Sequence, residues 1–323
     1  MTDNAERGVE QCAEQRAEQS AEQSAEQSAG QSAGQSLVPL FDLHSHSQAS
    51  DGSLSPEELV LRAAEQGVTV LALTDHDTVG GLDAAHHAIA QHALALRLIN
   101  GIEISTCWEN IEIHIVGLGI APTHPELQQL IGEQQQKRTE RSEEMARRLE
   151  KHRIPDALAG ARKYVQSGSA ITRAHFARYL MELGVASTMQ GVFKKYLAKG
   201  KIGYVPPQWC TINQAISVIH AAGGQAVLAH PGRYGLSAKW LRKLLETFSQ
   251  AGGDAMEIAQ CQQAPQERAQ LAAYAREFNL LVSQGSDFHQ PCSWIELGRK
   301  LWLPADCTPV WHQWPDPDTR QEE

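Results

Sequence analysis

The chain has 323 residues, of which 42% are hydrophobic and 20% charged, and its formal net charge at pH 7 is −10. This composition excludes a wholly disordered chain, and the acidic balance argues against stable binding of duplex DNA through a basic surface. The six scattered cysteines contain no CxxC pair, no apolar run approaches the roughly 18 residues of a membrane span, and no signal peptide is seen, so we expect a cytoplasmic protein.

Residues 1–36 form a low-complexity tail in which the motif AEQS recurs every four residues. The repeat carries no apolar stripe that a helix would bury, so we predict a disordered tail without a catalytic role. From Pro39 onward, short β-rich runs alternate with helical patterns. Residues 55–58, SPEE, are typical of a helix start, with an N-cap, a proline at the first helical position and a capping-box glutamate.

Four strands are predicted before residue 125, namely LFDLHSH, VTVLALTDH, LRLINGIEIS and IEIHIVGLGI. Residues 125–205 then look mainly helical. Strands and helices alternate again afterwards, with strands QAVLAHP, AMEIA and LLVSQGSDFH. Repeated β–α units predict a mostly parallel sheet with right-handed crossovers. About seven such units fit a barrel, and an open sheet is the alternative.

The pattern predicts an α/β fold with one interruption. Residues 37–124 and 206–303 would form the barrel, and residues 125–205 a helical insertion between its fourth and fifth strands. Residues 304–323 would be a C-terminal tail. A loop that leaves the fourth strand should overhang the active-site face, because active sites of such barrels lie at the C-terminal ends of the strands.

The insertion also differs from the rest of the chain in charge. Residues 121–205 contain fifteen lysines and arginines against eight aspartates and glutamates, a net charge of +7. Two interpretations stay open for cations such as Arg138, Arg141 and Arg148. They form either a solvated helix face or part of a basic lid over an anionic substrate.

Histidines and carboxylates gather at the ends of the predicted strands or, in one case, within a strand. These nine candidate ligands are His44, His46, Asp51, His76, Glu103, His114, His230, Asp287 and His289. Burying so many polar groups without a cation would be costly, so the sequence predicts metal binding. Mixed imidazole and carboxylate ligands suit Mn, Zn or Fe, and nine ligands exceed the need of one ion. A multi-metal site favours hydrolysis of phosphate esters, because the ions activate water and neutralise charge on the phosphate oxygens.

The ordered motifs FDLHSHSQASDG, LTDHD, GIEIS, IHIVG, AHPGRY and GSDFH resemble those of the PHP (polymerase and histidinol phosphatase) family. The resemblance spans residues 39–300, and the helical insertion makes the chain most similar to the 3',5'-nucleoside bisphosphate phosphatase group, also called ribonuclease AM. It implies a distorted (β/α)7 barrel and a trinuclear centre, usually with Mn.

The resemblance also implies how the ligands divide. The first ion would take His44, His46, Glu103 and Asp287. The second would take Asp51, His76 and His289. The third would share Glu103 and add His114 and His230. All nine positions hold a suitable residue.

Four further residues are candidates for the reaction. Asp75 would orient a ligand or move a proton, with a structural turn role as the alternative. Arg233 would clamp a phosphate, both as a catalytic and as a substrate-binding residue, unless it forms a surface salt bridge. Arg173 and His175, in the motif ITRAHFARYL, would bind a second phosphate.

The resemblance implies two related activities. One removes the 3'-phosphate of nucleoside 3',5'-bisphosphates, and the other trims short RNA and ribosomal RNA from the 5' end. Two alternatives remain: a PHP phosphatase of another small monoester such as histidinol phosphate, and a non-catalytic metal-binding interaction module. A metal-dependent amidohydrolase is less consistent with the spacing of the ligands.

Overall fold

The computed structural model describes residues 39–165 and 169–314. The predicted tail 1–36 and the end of the predicted C-terminal tail lie outside these residues. From Leu40 onward the described residues belong to one compact unit.

Eight strands are found in the described residues: β1 Phe41–Asp42, β2 Val70–Leu73, β3 Arg97–Trp108, β4 Ile111–Leu118, β5 Cys210–Thr211, β6 Gln225–Leu228, β7 Ala255–Ala259 and β8 Leu281–Gln284. The α-helices there are α1 Pro56–Glu65, α2 Leu82–Gln91, α3 Pro125–Lys151, α4 Ala157–Arg162, α5 Arg173–Glu182, α6 Met189–Val192, α7 Ile212–Ala221, α8 Ala238–Gln250 and α9 Pro265–Glu277. A π-helical turn, Phe193–Leu197, and a 3-10 turn, Pro231–Tyr234, complete the elements.

Seven of the strands form a nearly closed ring in the order β1-β2-β3-β4-β6-β7-β8. The short β5 is not part of this ring and pairs with β3. Backbone hydrogen bonds bring the two ends of the ring together: Leu43 donates to Gln284 and His46 donates to Phe288, at 3.1 and 2.9 Å. The prediction of a distorted seven-stranded barrel is confirmed.

The fourth strand is the exception to the predicted, mostly parallel sheet. β4 runs antiparallel to both of its neighbours, β3 and β6, whereas the other ring strands run parallel. The reason is the two-residue turn between β3 and β4. Glu109 and Asn110 both have positive φ angles, 48° and 60°, as a tight hairpin turn requires. A parallel pair would instead need a crossover of about a dozen residues.

The reversal of β4 changes the route of the insertion. β4 ends at Leu118, on the edge of the barrel opposite the C-terminal ends of the parallel strands. The sequence predicts that the insertion leaves the barrel beside the candidate ligands, and this prediction is wrong. Instead α3, with its 27 residues, is about 40 Å long and runs back along the barrel. About a third of the way along it, Gln134 donates to the Ser105 carbonyl of β3 at 2.7 Å.

The hydrophobic residues pack in separate clusters. Strands β3, β4, β6 and β7 pack against α7–α9 around fully buried residues such as Ile102 and Phe248. The helices of the insertion have a cluster of their own, which includes Leu149, Phe176 and Leu197. Helix α1 begins as its sequence predicts, because Ser55 and Glu58 form a capping box. Among the described residues, no helix is both long and apolar enough to cross a bilayer.

Candidate active site

The barrel brings all nine predicted ligands to one site at the C-terminal ends of its parallel strands. Their ligand atoms form four overlapping groups, each within 4.8 Å: His46, Asp51, His76 and His289; His44, Glu103 and His230; His44, His46 and Asp287; and His76, Glu103 and His114. The site is buried in the barrel mouth. Two of these residues, His230 and Asp287, have positive φ angles of 32° and 52°, a backbone strain that concentrates at functional sites.

Glu103 lies at the centre of the cluster and is surrounded by five imidazoles. Its Oε1 faces three of them, His114, His230 and His44, at 3.0, 3.1 and 3.4 Å. Its Oε2 faces the other two, His76 and His46, at 2.8 and 3.3 Å. Because the two oxygens face different sets of imidazoles, this carboxylate is placed to bridge two cations.

Two more carboxylates close the sides of the cluster. Asp287 Oδ1 lies 3.2 Å from His46 Nε2 and 3.4 Å from His44 Nε2. Asp51 Oδ1 lies 3.3 Å from His289 Nε2. The grouping differs from the implied division in three respects. His46 joins the Asp51 group as well as the Asp287 group, Glu103 is not in the group of His44, His46 and Asp287, and His114 and His230 fall in separate groups with Glu103.

The donor atoms fit a metal centre. His44 Nε2 and His46 Nε2 face each other at 3.0 Å, an arrangement in which both lone pairs can point to one cation. Within the described residues, Asp51 Oδ1, His76 Nδ1 and Glu103 Oε2 are buried and have no aligned hydrogen-bond partner. Unpartnered buried polar atoms are costly, and cations would satisfy them.

The electrostatics of the cluster couple its carboxylates to its imidazoles. Burial acts to lower the pKa of His114 and of His289, but Glu103 and Asp51 outweigh it and raise these pKa values to about 10 and about 9, so a cation must displace protons when it binds. Burial acts to raise the pKa of Glu103, but the surrounding imidazoles, His76 first, outweigh it and hold that pKa well below its usual range. The same opposition holds the pKa of Asp51 well below its usual range. Burial, reinforced by the charge on His289, lowers the pKa of His46 to about 3. Ionised carboxylates and a neutral imidazole are the forms that bind metal ions.

The sequence pattern does not reveal the role of Glu257, which lies in the middle of β7. This buried carboxylate lies 2.7 Å from His44 Nδ1 and accepts a hydrogen bond of 2.7 Å from the backbone N–H of His230. It thereby turns the other nitrogen of His44 toward the cluster, as outer carboxylates of metal sites do. The sequence feature that could have identified Glu257 is a single carboxylate in the otherwise apolar strand AMEIA.

Asp75 is not part of the four ligand groups and instead contacts the loop that carries Asp51. It accepts hydrogen bonds from the Ser47 amide and hydroxyl and from the Ser50 hydroxyl, at 2.8, 2.6 and 2.6 Å. Burial raises its pKa to about 6, although these hydrogen bonds lower it. The contacts favour the turn interpretation over proton transfer.

A buried ion pair fixes the insertion to the barrel. Arg138 of α3 donates from Nε to Asp77 Oδ2 at 2.8 Å and from Nη2 to the Ser105 hydroxyl at 2.8 Å. Its guanidinium also lies 5.0 Å from the ring of Trp209. Arg138 is only 6% exposed, so it is not part of a solvated face. Arg148, in contrast, pairs with Glu144 at the surface of α3.

A cavity of about 410 Å³ opens between the ligand cluster and the insertion. Its volume falls in the range of small-molecule sites. The cluster contributes Asp51, His76, His114, Asp287 and His289 to its wall. Five arginines also line it, namely Arg138, Arg141, Arg173, Arg178 and Arg233, together with the aromatic rings of Phe193, Trp209 and Trp294.

Two of the three predicted substrate-binding residues line the cavity, and the third does not. Arg173 and Arg233 line the cavity. Arg173 lies 2.9 Å from Glu112, and Arg233 is paired with Asp287. His175 does not line it: the ring is buried, and its Nδ1 accepts a hydrogen bond of 3.0 Å from the Thr172 amide as part of the helix cap of α5. We therefore correct the interpretation of His175 as a phosphate contact.

Arg178 is a cavity residue that the sequence does not single out. It donates from Nη2 to the backbone carbonyl of Asp51 at 2.8 Å. In the described parts of the chain, no carboxylate forms a salt bridge with it. It follows Arg173 in the same motif, ITRAHFARYL, but the motif alone does not show which cations reach the cavity.

Comparison with known proteins identifies the family. The protein-family model described as PHP domain matches residues 42–222 of this chain. The chain belongs to the PHP family. The 5'-3' exoribonuclease Rnm of Escherichia coli (strain K12) is 60% identical over 283 residues, which are 88% of this chain and 96% of that protein. The 3',5'-nucleoside bisphosphate phosphatase of Chromobacterium violaceum is 40% identical over 273 residues, 84% of this chain and 95% of that protein.

A solved structure shares the fold of this chain. An amidohydrolase from Chromobacterium violaceum, solved with bound sulfate and no metal, matches with a TM-score of 0.79 at 40% identity, over 84% of this chain and 94% of its own. The resemblance inferred from the ordered motifs is thereby confirmed. The His, Asp and Glu groups of the site are thus those of a PHP phosphoesterase that could hold metal ions.

Proposed function

We propose that the protein is a metal-dependent phosphoesterase that removes the 3'-phosphate of nucleoside 3',5'-bisphosphates and degrades short RNA from its 5' end. The observation that carries the proposal is the cluster of nine candidate metal ligands, five of which line a cavity together with five arginines. The activities named for the relatives of 60% and 40% identity support the two substrates. We also infer a cytoplasmic location, which the free cysteines among the described residues support.

The two activities can be one reaction. In both, the oxygen of water bonds to the 3'-phosphorus, the O3'–P bond breaks, and O3' takes up a proton. With a bisphosphate, the products are inorganic phosphate and a nucleoside 5'-phosphate. With RNA, the products are a 5'-nucleotide and a chain shortened by one residue that again carries a 5'-phosphate. One site therefore suffices for both substrates.

We propose that the cluster holds two to three divalent ions, with Mn²⁺ favoured and Zn²⁺ or Fe²⁺ compatible with the same ligands. His44, His46, Glu103 and Asp287 would hold one, Asp51, His76 and His289 another, and Glu103, His114 and His230 a third. Such ions supply Lewis-acid stabilisation of the phosphoryl oxygens and make water more acidic. Elemental analysis after Mn²⁺ reconstitution should find two or three ions per chain, and less than one would contradict this assignment.

The arginines of the insertion would bind the second, 5'-phosphate. Glu112 faces two of them, Arg141 at 3.4 Å and Arg173 at 2.9 Å, so one positive charge there is not neutralised. Arg178 adds a further cation, which within residues 39–165 and 169–314 donates to a backbone carbonyl and forms no salt bridge. Guanidinium groups bind phosphate in a bidentate manner, which makes this wall of the cavity suitable for a phosphate away from the metal cluster.

Arg178→Ala should lower kcat/KM for adenosine 3',5'-bisphosphate by about ten- to a hundredfold, since one charge-assisted contact contributes about 1.5–3 kcal/mol. Hydrolysis of adenosine 3'-monophosphate, which lacks the second phosphate, should change far less. Steady-state kinetics on the two substrates measure the difference.

Arg162→Ala on α4, outside the cavity lining, is the matched control and should behave as the wild type. Equal losses of Arg178→Ala on both substrates would mean that Arg178 acts through its contact with Asp51 instead of through the second phosphate.

A substrate panel with the Mn²⁺-loaded protein tests the function itself. We expect turnover of adenosine 3',5'-bisphosphate and of short 5'-phosphorylated RNA, including RNA with ribosomal 5'-end sequences, and little turnover of the 2',5' isomer. Preferential hydrolysis of histidinol phosphate would favour the monoester phosphatase. No turnover of any of them by the metal-loaded protein would favour an interaction module.

A further inference from the structure

Trp294 is an exposed aromatic residue at the opening of the cavity. It lines the cavity wall, yet 63% of its surface is exposed. It lies on the loop after β8, five residues beyond the candidate ligand His289. An aromatic ring of this size in solvent leaves a large apolar surface uncovered, which in a site wall indicates contact with a ligand.

The loop that carries Trp294 is anchored on both sides of the ring. Glu296, two residues after Trp294, accepts two hydrogen bonds from the Arg62 guanidinium of α1, at 2.9 and 2.6 Å. Arg299 donates to the carbonyl of Ser293 at 2.7 Å. The loop backbone on both sides of Trp294 is therefore held in place before any ligand arrives, which lowers the entropic cost of a contact with the ring.

The cavity accommodates one nucleotide but not a chain. With a volume of about 410 Å³, it lies near the lower end of the range for small-molecule sites. If the scissile phosphate lies at the metal cluster and the 5'-phosphate at the arginines, the first nucleotide occupies the inner part of the cavity, between these two sites. The nucleoside on the far side of the scissile phosphate must then leave through the opening, where Trp294 lies.

The other aromatic residues of the cavity wall are already engaged. Trp209 is buried, and the guanidinium groups of Arg138 and Arg141 each lie 5.0 Å from its ring. The Arg173 guanidinium lies 6.0 Å from the ring of Phe193. Among the cavity aromatics, Trp294 thus offers the most open face. An aromatic ring beside a cationic cavity is the arrangement that binds single-stranded nucleic acid.

We propose that Trp294 is a stacking platform for the second nucleobase of an RNA substrate, the base that follows the scissile phosphate. The inference rests on the proposed function and adds a substrate subsite to it. A nucleoside 3',5'-bisphosphate has no second base, so Trp294 distinguishes RNA from the bisphosphate. Because every base has a stacking face, the subsite tolerates any sequence.

Trp294→Ala should lower kcat/KM for a short 5'-phosphorylated RNA by about five- to a hundredfold, the loss expected from removing one base–aromatic stack. Hydrolysis of adenosine 3',5'-bisphosphate should stay within about twofold of the wild type, and Trp294→Phe should retain most of the RNA activity. Trp302→Ala is the matched control: Trp302 is 54% exposed but does not line the cavity, and its replacement should change neither activity.

A change in the substrate provides the second half of the test. An RNA with an abasic second nucleotide should be a poorer substrate for the wild type by the same factor, and Trp294→Ala should show no further loss with it, because the two changes remove one contact. Additive losses, or an equal loss on the bisphosphate, would overturn the proposal.

Failure of the exoribonuclease activity itself would look different. The wild type would then hydrolyse the bisphosphate but not RNA. The affinity of the wild type and of Trp294→Ala for the intact and abasic RNAs, measured by fluorescence anisotropy, would still decide the stacking proposal. Equal affinities of both proteins for the intact RNA would overturn it.

Discussion

Glu103→Ala should lower kcat by about a thousandfold or more, because losing the metal-based stabilisation of the transition state costs several kcal/mol. It should also release more bound metal than any single histidine substitution. Glu103 is the carboxylate whose two oxygens each face a different set of imidazoles, so its loss affects more than one ion. Elemental analysis after Mn²⁺ reconstitution and kcat on adenosine 3',5'-bisphosphate measure the two effects.

The comparison variants make this result specific. His114→Ala should lose less metal than Glu103→Ala, because His114 joins one of the candidate groups. Glu246→Ala, an exposed carboxylate on α8, should retain full metal content and activity. A Glu103→Ala protein that keeps its full complement of Mn²⁺ would show that Glu103 does not bridge ions.

Arg138→Met should lower the free energy of unfolding by about 3–5 kcal/mol, the cost of leaving one member of a buried ion pair without its partner. Asp77 is fully buried, and its Oδ2 accepts two hydrogen bonds from Arg138. Methionine fills a similar volume but leaves the carboxylate without its compensating charge. Denaturant unfolding of the wild type and the variant measures the change.

Two further variants identify the cause. Arg147→Met on the same helix removes an exposed arginine paired with Glu144 and should leave the free energy of unfolding nearly unchanged. The double variant Asp77→Asn, Arg138→Met should recover part of the loss, since no uncompensated charge is then buried. If Arg138→Met unfolds at the same denaturant concentration as the wild type, the pair does not anchor the insertion.

The sequence predicts the barrel and the ligand set because both depend on local patterns. Each ligand follows or lies in a run of β-forming residues, and the parallel strands bring these ends together whatever the rest of the chain does. His44 and His46 illustrate this, because a period of two places both on one side of the chain. His76, just after β2, and Glu103 of β3 form a parallel β-bridge, which likewise brings their side chains to one site.

The direction of β4 is harder to predict because its hairpin turn lacks the usual signal. Tight turns with positive φ at both residues usually contain glycine, as in Asn-Gly or Asp-Gly, whereas this turn is Glu109-Asn110. Reversal of one strand moves the start of the insertion to the opposite edge of the barrel. The sequence thus indicates a basic insertion over the site but not the path of α3 that brings it there.

The supporting contacts of the site depend on residues far apart in the chain. Glu257 contacts His44 across 213 positions, Arg178 contacts Asp51 across 127, and Arg138 contacts Asp77 across 61. No local pattern specifies such partners. His175 shows the converse: its place in a motif with two arginines suggests a phosphate contact, but its position in the first turn of α5 makes it a helix cap.

Competition between the two substrates tests most directly whether one metal centre serves both. The rate of degradation of a short 5'-phosphorylated RNA is measured at increasing concentrations of adenosine 3',5'-bisphosphate. Competitive inhibition is expected, with an inhibition constant equal to the KM of the bisphosphate as a substrate. Noncompetitive inhibition, or RNA degradation that persists in Glu103→Ala after bisphosphate hydrolysis is lost, would contradict a shared site.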